Sequence, residues 1–148
     1  MDVSGSHILA PYVGTQRVPF STSKIECDKI FGAPVRLSKT RGNELKLVYD
    51  EIEFIFSMNG SKILEMLFRP NVTLLINNVD IFHDKTALSK LSKIDSPLEY
   101  AGILFFPALG ISSTGLHNKD DVSVTAIAKG RFDKLVHNFQ PYKAFDVA

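Results

Sequence analysis

Glu44-Leu-Lys-Leu-Val-Tyr49, Ile52-Glu-Phe-Ile-Phe56 and Ile63-Leu-Glu-Met-Leu-Phe68 decide the fold class of this chain. In the first two runs apolar side chains occupy alternate positions, Leu45, Leu47 and Tyr49, then Ile52, Phe54 and Phe56. A period of two places one set of side chains on one face of a strand, the signature of a half-buried antiparallel sheet. Asn59-Gly60 lies between the second and third runs, and this pair favours the left-handed backbone that a hairpin turn needs.

Upstream, Ser23-Lys-Ile-Glu26 reads as a capping box: the Ser23 hydroxyl accepts from the third amide, and Glu26 reaches back to the cap amide. Cys27, Ile30 and Phe31 follow at helical spacing, and Gly32 and Pro34 end the run. Downstream, Val72–Ile76 and Val79–Phe82 flank an Asn77-Asn78 turn. Asp84 then stands as the N-cap of a second helix, with Ala87, Leu88, Leu91 and Ile94 on one face and Ser96-Pro97 closing it. Gly102–Phe106, Ile111–Leu116 and an alternating run from Val122 to Ala128 read as further strands. Asn118–Asp121 reads as a turn, and Arg36–Asn43 as a polar, basic loop.

The expected fold is α+β: an antiparallel sheet with two short helices packed on it. Helix plus strands occurs over residues 23–68 and again over 84–128, which suggests a tandem helix–β-hairpin–strand repeat within one domain, 1–148. Residues 1–22 read as an irregular or extended arm that packs through Ile8, Leu9, Tyr12, Val18 and Phe20, and 131–148 as an aromatic tail without clear period.

Composition narrows the function. At 148 residues, with 45% hydrophobic and 22% charged, the chain can bury an ordinary core without metal or disulfide. A formal net charge of +1 lacks the basic footprint of a direct nucleic-acid binder. Cys27 is the single cysteine, so the fold needs no oxidising compartment. The first residues have no basic n-region followed by an apolar core, and no apolar run approaches a membrane span. The expectation is a cytoplasmic protein without membrane contact.

Catalytic and cofactor motifs are not apparent. Cys27 lies on the apolar stripe of its helix and reads as a core residue rather than a nucleophile. The four histidines, 7, 83, 117 and 137, are scattered. His117, Asp120 and Asp121 have ligand chemistry but sit in one turn, without the spacing of a coordination motif. Gly110-Ile-Ser-Ser-Thr-Gly115 is Gly-bounded but lacks the Gly-Lys-Ser/Thr of a phosphate loop, and reads as an edge or bend in the sheet. The expectation is no enzyme, no metal and no cofactor.

What remains are charged groups suited to protein contacts. Asp50, Glu51 and Glu53 form an acidic cluster in which Glu51 and Glu53 share a strand face, fitted to a basic partner. Arg36, Lys39 and Arg41 form a basic group without interleaved aromatics.

Five segments form a set: Tyr12-Val-Gly-Thr-Gln-Arg-Val-Pro-Phe20-Ser-Thr-Ser23, Ile30-Phe-Gly-Ala-Pro34, the strand pair around Asn59-Gly60, Leu109-Gly-Ile-Ser-Ser-Thr-Gly-Leu-His117, and Lys129-Gly-Arg-Phe-Asp-Lys-Leu135. Together they resemble small bacterial immunity proteins of polymorphic-toxin and contact-dependent-inhibition systems. The helix–Phe-Gly-x-Pro–hairpin unit also looks like the repeat of β-lactamase-inhibitor-protein-like folds and of outer-membrane assembly lipoproteins, whose lipobox cysteine this sequence does not carry. The immunity resemblance implies steric blockade of a cognate toxin C-terminal domain, a nuclease being the default. Local chemistry then nominates Asp50, Glu51, Glu53, His117, Asp120, Asp121, Arg131 and Asp133 as toxin-binding. The rival readings are a small-ligand or peptide module using the sheet face, and a scaffold that forms a homodimer through an edge strand.

Overall fold

Alternating runs dominate the chain, and the computed structural model, which describes residues 5–119 and 121–143, is accordingly mostly sheet. In chain order the elements are β1 (Ser6–Ala10), β2 (Gly14–Thr15), α1 (Lys24–Phe31), β3 (Arg36–Lys39), β4 (Leu45–Val48), β5 (Ile52–Phe56), β6 (Ile63–Phe68), β7 (Thr73–Ile76) and β8 (Val79–Asp80). Then come α2 (Ala87–Ile94), β9 (Leu98–Tyr100), β10 (Ile103–Phe106), β11 (Ile111–Thr114), β12 (Ser123–Ile127) and β13 (Gln140–Pro141). The α+β class with a dominant antiparallel sheet agrees with the sequence reading. No helix among the described residues is long and apolar enough to cross a membrane.

Nine strands form one antiparallel sheet in the order β13-β9-β10-β11-β12-β6-β5-β4-β3. Its centre is the β6–β12 pairing, where Met66 faces Ala126 and Phe68 faces Val124. A four-stranded sheet, β2-β1-β7-β8, contains a parallel β1–β7 pair. One cross-strand row carries much of the core: Leu47, Phe54, Met66, Ala126, Ile111 and Phe106 are register partners in succession, and all are buried. Burying a large apolar side chain contributes about 1.5–3 kcal/mol, so this row weighs heavily in the stability of the sheet. Leu9, Val72, Leu74 and Ile76 of the N-terminal region and small sheet join the same core.

α1 begins as its capping box requires. The Ser23 hydroxyl accepts from Glu26 N (3.2 Å), and the Glu26 carboxylate accepts from Ser23 N (3.1 Å). Its buried stripe is Cys27 and Phe31, with Phe31 against Tyr49 (5.7 Å) and Phe54 (5.6 Å), so α1 packs on the large sheet. Gly32 ends the helix at φ 81°, and its carbonyl accepts from the Tyr49 hydroxyl. α2 buries Ala87 and Leu91.

Four local expectations change. The arm is β-structured: β1 and β2 pair with each other, and Leu9, Val18 and Phe20 are buried while Ile8 is exposed. Arg36–Lys39 is not a loop but the edge strand β3, because β4 offers it a complete ladder partner. Thr86, not Asp84, sits at the α2 cap position. The Asp84 carboxylate instead accepts from Thr86 N and Thr86 Oγ1 in the preceding turn. Ile111–Thr114 is an interior strand rather than an edge, and its Ser112 and Ser113 are buried.

The described part of the tail folds back on the opposite face of the sheet. There Phe132 and Phe139 meet Phe105 at 5.0 and 5.6 Å, over buried Ile127.

Candidate functional site

The register gathers two of the three predicted groups at one rim. The β4–β5 turn, closed by Tyr49 N donating to Ile52 O, carries Asp50 and Glu51. β6 ends beside it at Phe68, Val124, the second residue of β12, lies opposite Phe68, and β11 ends at Thr114 opposite Ser123. The β11–β12 connection with His117 and Asp121 therefore emerges at the same end as Asp50. Asp120 lies outside the described residues.

The acidic cluster is partly neutralised within the chain. Glu53, 12% exposed in its side chain, receives Lys46 Nζ at 3.0 Å and Arg69 Nη2 at 2.5 Å. Burial pushes its carboxyl upward, but the hydrogen bonds from Arg69 and Lys46 outweigh it and hold the group below its ordinary value. Glu51 Oε1 accepts from Asn71 Nδ2 (2.9 Å), and its carbonyl accepts from Arg69 N. Arg69 thus ties both acids to the end of β6. Asp50 is exposed and makes no ion pair among the described residues.

His117 lies in the β11–β12 connection but is shielded from solvent. Its side chain is only 10% exposed: Nε2 lies 3.3 Å from Glu99 Oε2, and the ring stands edge-on to Tyr142 at 5.6 Å. Its Nδ1 is buried without a hydrogen-bond partner among the described residues. Asp121 is exposed, with a left-handed backbone (φ 47°).

Beside the same rim a cavity of about 450 Å³ opens between α2 and the β11–β12 connection. Phe82, Leu88, Leu116 and Val122 give it apolar walls, and Asp84, Lys85 and Lys119 supply charge. Asp84 is committed elsewhere: Lys90 Nζ at 2.6 Å, then Thr86, hold its carboxyl at about 2. Among the described residues no group of three or more His, Cys, Asp or Glu side chains is placed to hold a metal. Cys27 is fully buried, and burial pushes its thiol up to about 12.

Arg131 and Asp133 lie at the opposite end. Arg131 clamps Glu44 through Nη1 and Nη2 (2.7 and 2.8 Å) and Glu65 through Nε (2.6 Å). These pairs tie the segment after β12 to β6 and to the approach to β4. Asp133 is exposed and donates from its amide to the Gly130 carbonyl.

Sequence reasoning missed Lys46, Arg69 and Asn71. Lys46 was readable, because alternation puts it opposite the Leu45–Leu47 face, as Glu53 is opposite Phe54. Arg69 and Asn71 reach the cluster only through the β5–β6 register, which is non-local. Compared with models of known protein families, with curated proteins and with solved structures, the chain gives no match.

Proposed function

We propose that this chain is a binding protein of the immunity type, which neutralises a cognate toxin domain by covering its active site and performs no chemistry of its own. The observation that carries this reading is the gathering of Asp50, Glu51, Glu53 and Asp121 at one rim of the large sheet. Glu53 is held by Lys46 and Arg69 before any partner arrives, so little side-chain freedom is lost there on binding. The charge of Asp50 and Asp121, which make no ion pair among the described residues, suits a basic partner surface, such as the substrate channel of a nuclease. A standard interface buries roughly 1,600 Å² in total, which one end of a domain this size can supply. The tandem repeat belongs to the same proposal: α1 precedes β3–β6 and α2 precedes β9–β12, and the two four-strand runs meet at β6–β12.

The test is co-expression with the C-terminal domain encoded immediately upstream, read by growth rescue and by a binding titration in the cytoplasmic setting. Rescue with nanomolar affinity supports the proposal. A toxic domain that the protein neither rescues nor binds at micromolar concentration sinks it.

The cavity favours a second reading, a small-ligand or peptide module. Its volume of about 450 Å³ falls in the range of ligand pockets, roughly 300–1,000 Å³. A ligand screen by thermal shift, with Leu88→Trp as the pocket-filling control, tests it. A shift that survives the filled pocket argues against this site.

A further inference from the structure

The buried cross-strand row of the large sheet does not stop at Leu47. Its next register partner is Leu37 on β3, and there the burial ends: Leu47 is fully buried, whereas Leu37 is 54% exposed. Val35, just before β3, is 71% exposed, and its amide donates to the Val48 carbonyl (2.8 Å). Among the described residues β3 is the edge of the sheet, with β4 as its sole strand neighbour. Thr40 N donates to Glu44 O, which makes Thr40 and Glu44 a hydrogen-bonded pair. Counting back by twos along the antiparallel ladder, Ser38 and Arg36 bond inward to β4, so Leu37 and Lys39 turn their N–H and C=O groups to the open edge. Arg36, Lys39 and Arg41 flank this edge and make no ion pair among the described residues.

We propose that β3 is a second docking surface, and that its occupant is an extended, acidic segment of a partner protein that adds a tenth strand to the sheet. The main-chain groups of Leu37 and Lys39 would bond the incoming strand, its apolar residue would cover Leu37 and complete the row, and its acidic residues would answer Arg36 and Lys39. A second copy of this chain is the wrong occupant. Antiparallel self-pairing that joins the outward groups of two copies centres on Ser38, with Leu37 against Lys39 and Arg36 against Thr40, or on Leu37 or Lys39, with like against like, and with no acidic residue between Lys29 and Asn43 none of these gives Arg36 or Lys39 an opposite charge. The surface goes beyond the toxin-binding reading and does not depend on the rim.

The experiment uses the full chain and three synthetic probes: an extended peptide with one Val flanked on both sides by Glu residues, its Lys-for-Glu counterpart, and a scrambled peptide. Amide hydrogen exchange and backbone NMR shifts report on β3. The expected result is that the Glu–Val peptide alone slows exchange at Leu37 and Lys39 by about tenfold or more and shifts β3 resonances. Leu37→Pro removes the outward donor while leaving the inward bonds of Arg36 and Ser38, and Arg36→Glu with Lys39→Glu reverses the charge. Both variants should abolish the protection, and far-UV circular dichroism checks that each still folds. Absence of protection with the acidic peptide overturns the proposal and leaves the basic residues as guards against edge pairing. Equal protection by the Lys peptide, or concentration-dependent protection without peptide, overturns the acidic occupant.

Discussion

Arg131 and Glu44, 87 positions apart in sequence, meet as a two-point ion pair at 2.7 and 2.8 Å, and the same guanidinium holds Glu65 at 2.6 Å. All three side chains are less than a quarter exposed, so the pairs are shielded more than ordinary surface bridges. Arg131→Met should destabilise the fold by about 2 kcal/mol, because two half-buried carboxylates lose their cation. Arg131→Lys should recover only part of this, since an ammonium cannot make the forked contact. Urea unfolding midpoints check both. A Met variant as stable as the parent would mean that water replaces the guanidinium without cost.

The same carboxylates set the acid limit of stability. Arg131 holds Glu44 below its ordinary value of 4.5, with burial opposing more weakly. Glu53 is also held low, because Arg69 and Lys46 together overcome its burial. A folded-state value below the unfolded one means stabilisation that is complete above about pH 4.5 and lost as pH falls through the folded value. Thermal midpoints should therefore decline below about pH 4.5, and Asp84, held at about 2, extends the decline to the most acid end. In Arg131→Met the slope should be shallower, since Glu44 no longer contributes. An unchanged slope would remove the clamp from the acid response.

Gly14 is a backbone requirement that composition conceals. Its φ is +124°, and a Cβ there would lie 2.6 Å from both Pro19 Cα and the Val18 carbonyl oxygen. Relief would need the chain to move at two backbone points. Gly14→Ala should cost about 3 kcal/mol. Gly5→Ala, at a left-handed φ but with no neighbour near the added carbon, should cost less. The difference in unfolding free energy between the two variants isolates the steric part.

How much of this was legible in the sequence depends on the range of the interaction. Ser23 and Glu26 bond within three residues, and Asn77 and Asn78 adopt positive φ by their own chemistry, so α1 and the β7–β8 turn could be read directly. Strands β4 to β6 were readable because one face is buried and the other is not. β3 was not, since an edge strand with four mostly exposed residues shows no such contrast. The acidic cluster was visible, but its neutralisation by Arg69 and Asn71 was not, because those contacts arise from strand pairing across 16 and 20 positions. His117 was misjudged for the same reason: its shield is Tyr142 and Glu99, distant in the chain.

Asp50 separates binding from stability at the rim. It is exposed and unpaired among the described residues, whereas Glu53 is clamped. Asp50→Lys should leave the unfolding free energy within about 0.5 kcal/mol of the parent. Against a basic toxin surface it should slow association by about tenfold at low salt and less at high salt. Stopped-flow association at two ionic strengths reads this. A variant that associates as fast as the parent, with an intact complex, would place the interface away from this rim.

Cys27 tests whether α1 is as firmly seated as its contacts require. The thiol is fully buried, and desolvation pushes it up to about 12, although a hydrogen bond with Tyr49 pulls the other way. A thiolate is the reactive form, so both the accessibility and the ionisation of the native thiol oppose modification. Ellman's reagent at pH 8 should leave the folded protein unlabelled over the time in which the urea-unfolded chain reacts fully. Labelling of the native protein should then follow opening of α1, and it should accelerate in Ser23→Ala, which removes the capping box at a cost of about 1 kcal/mol. If Ser23→Ala leaves the labelling rate unchanged while lowering global stability, exposure of Cys27 proceeds by a motion that keeps the first turn of α1 intact. The Phe31 contacts with Tyr49 and Phe54 at the far end of the helix would then be the part that lets go.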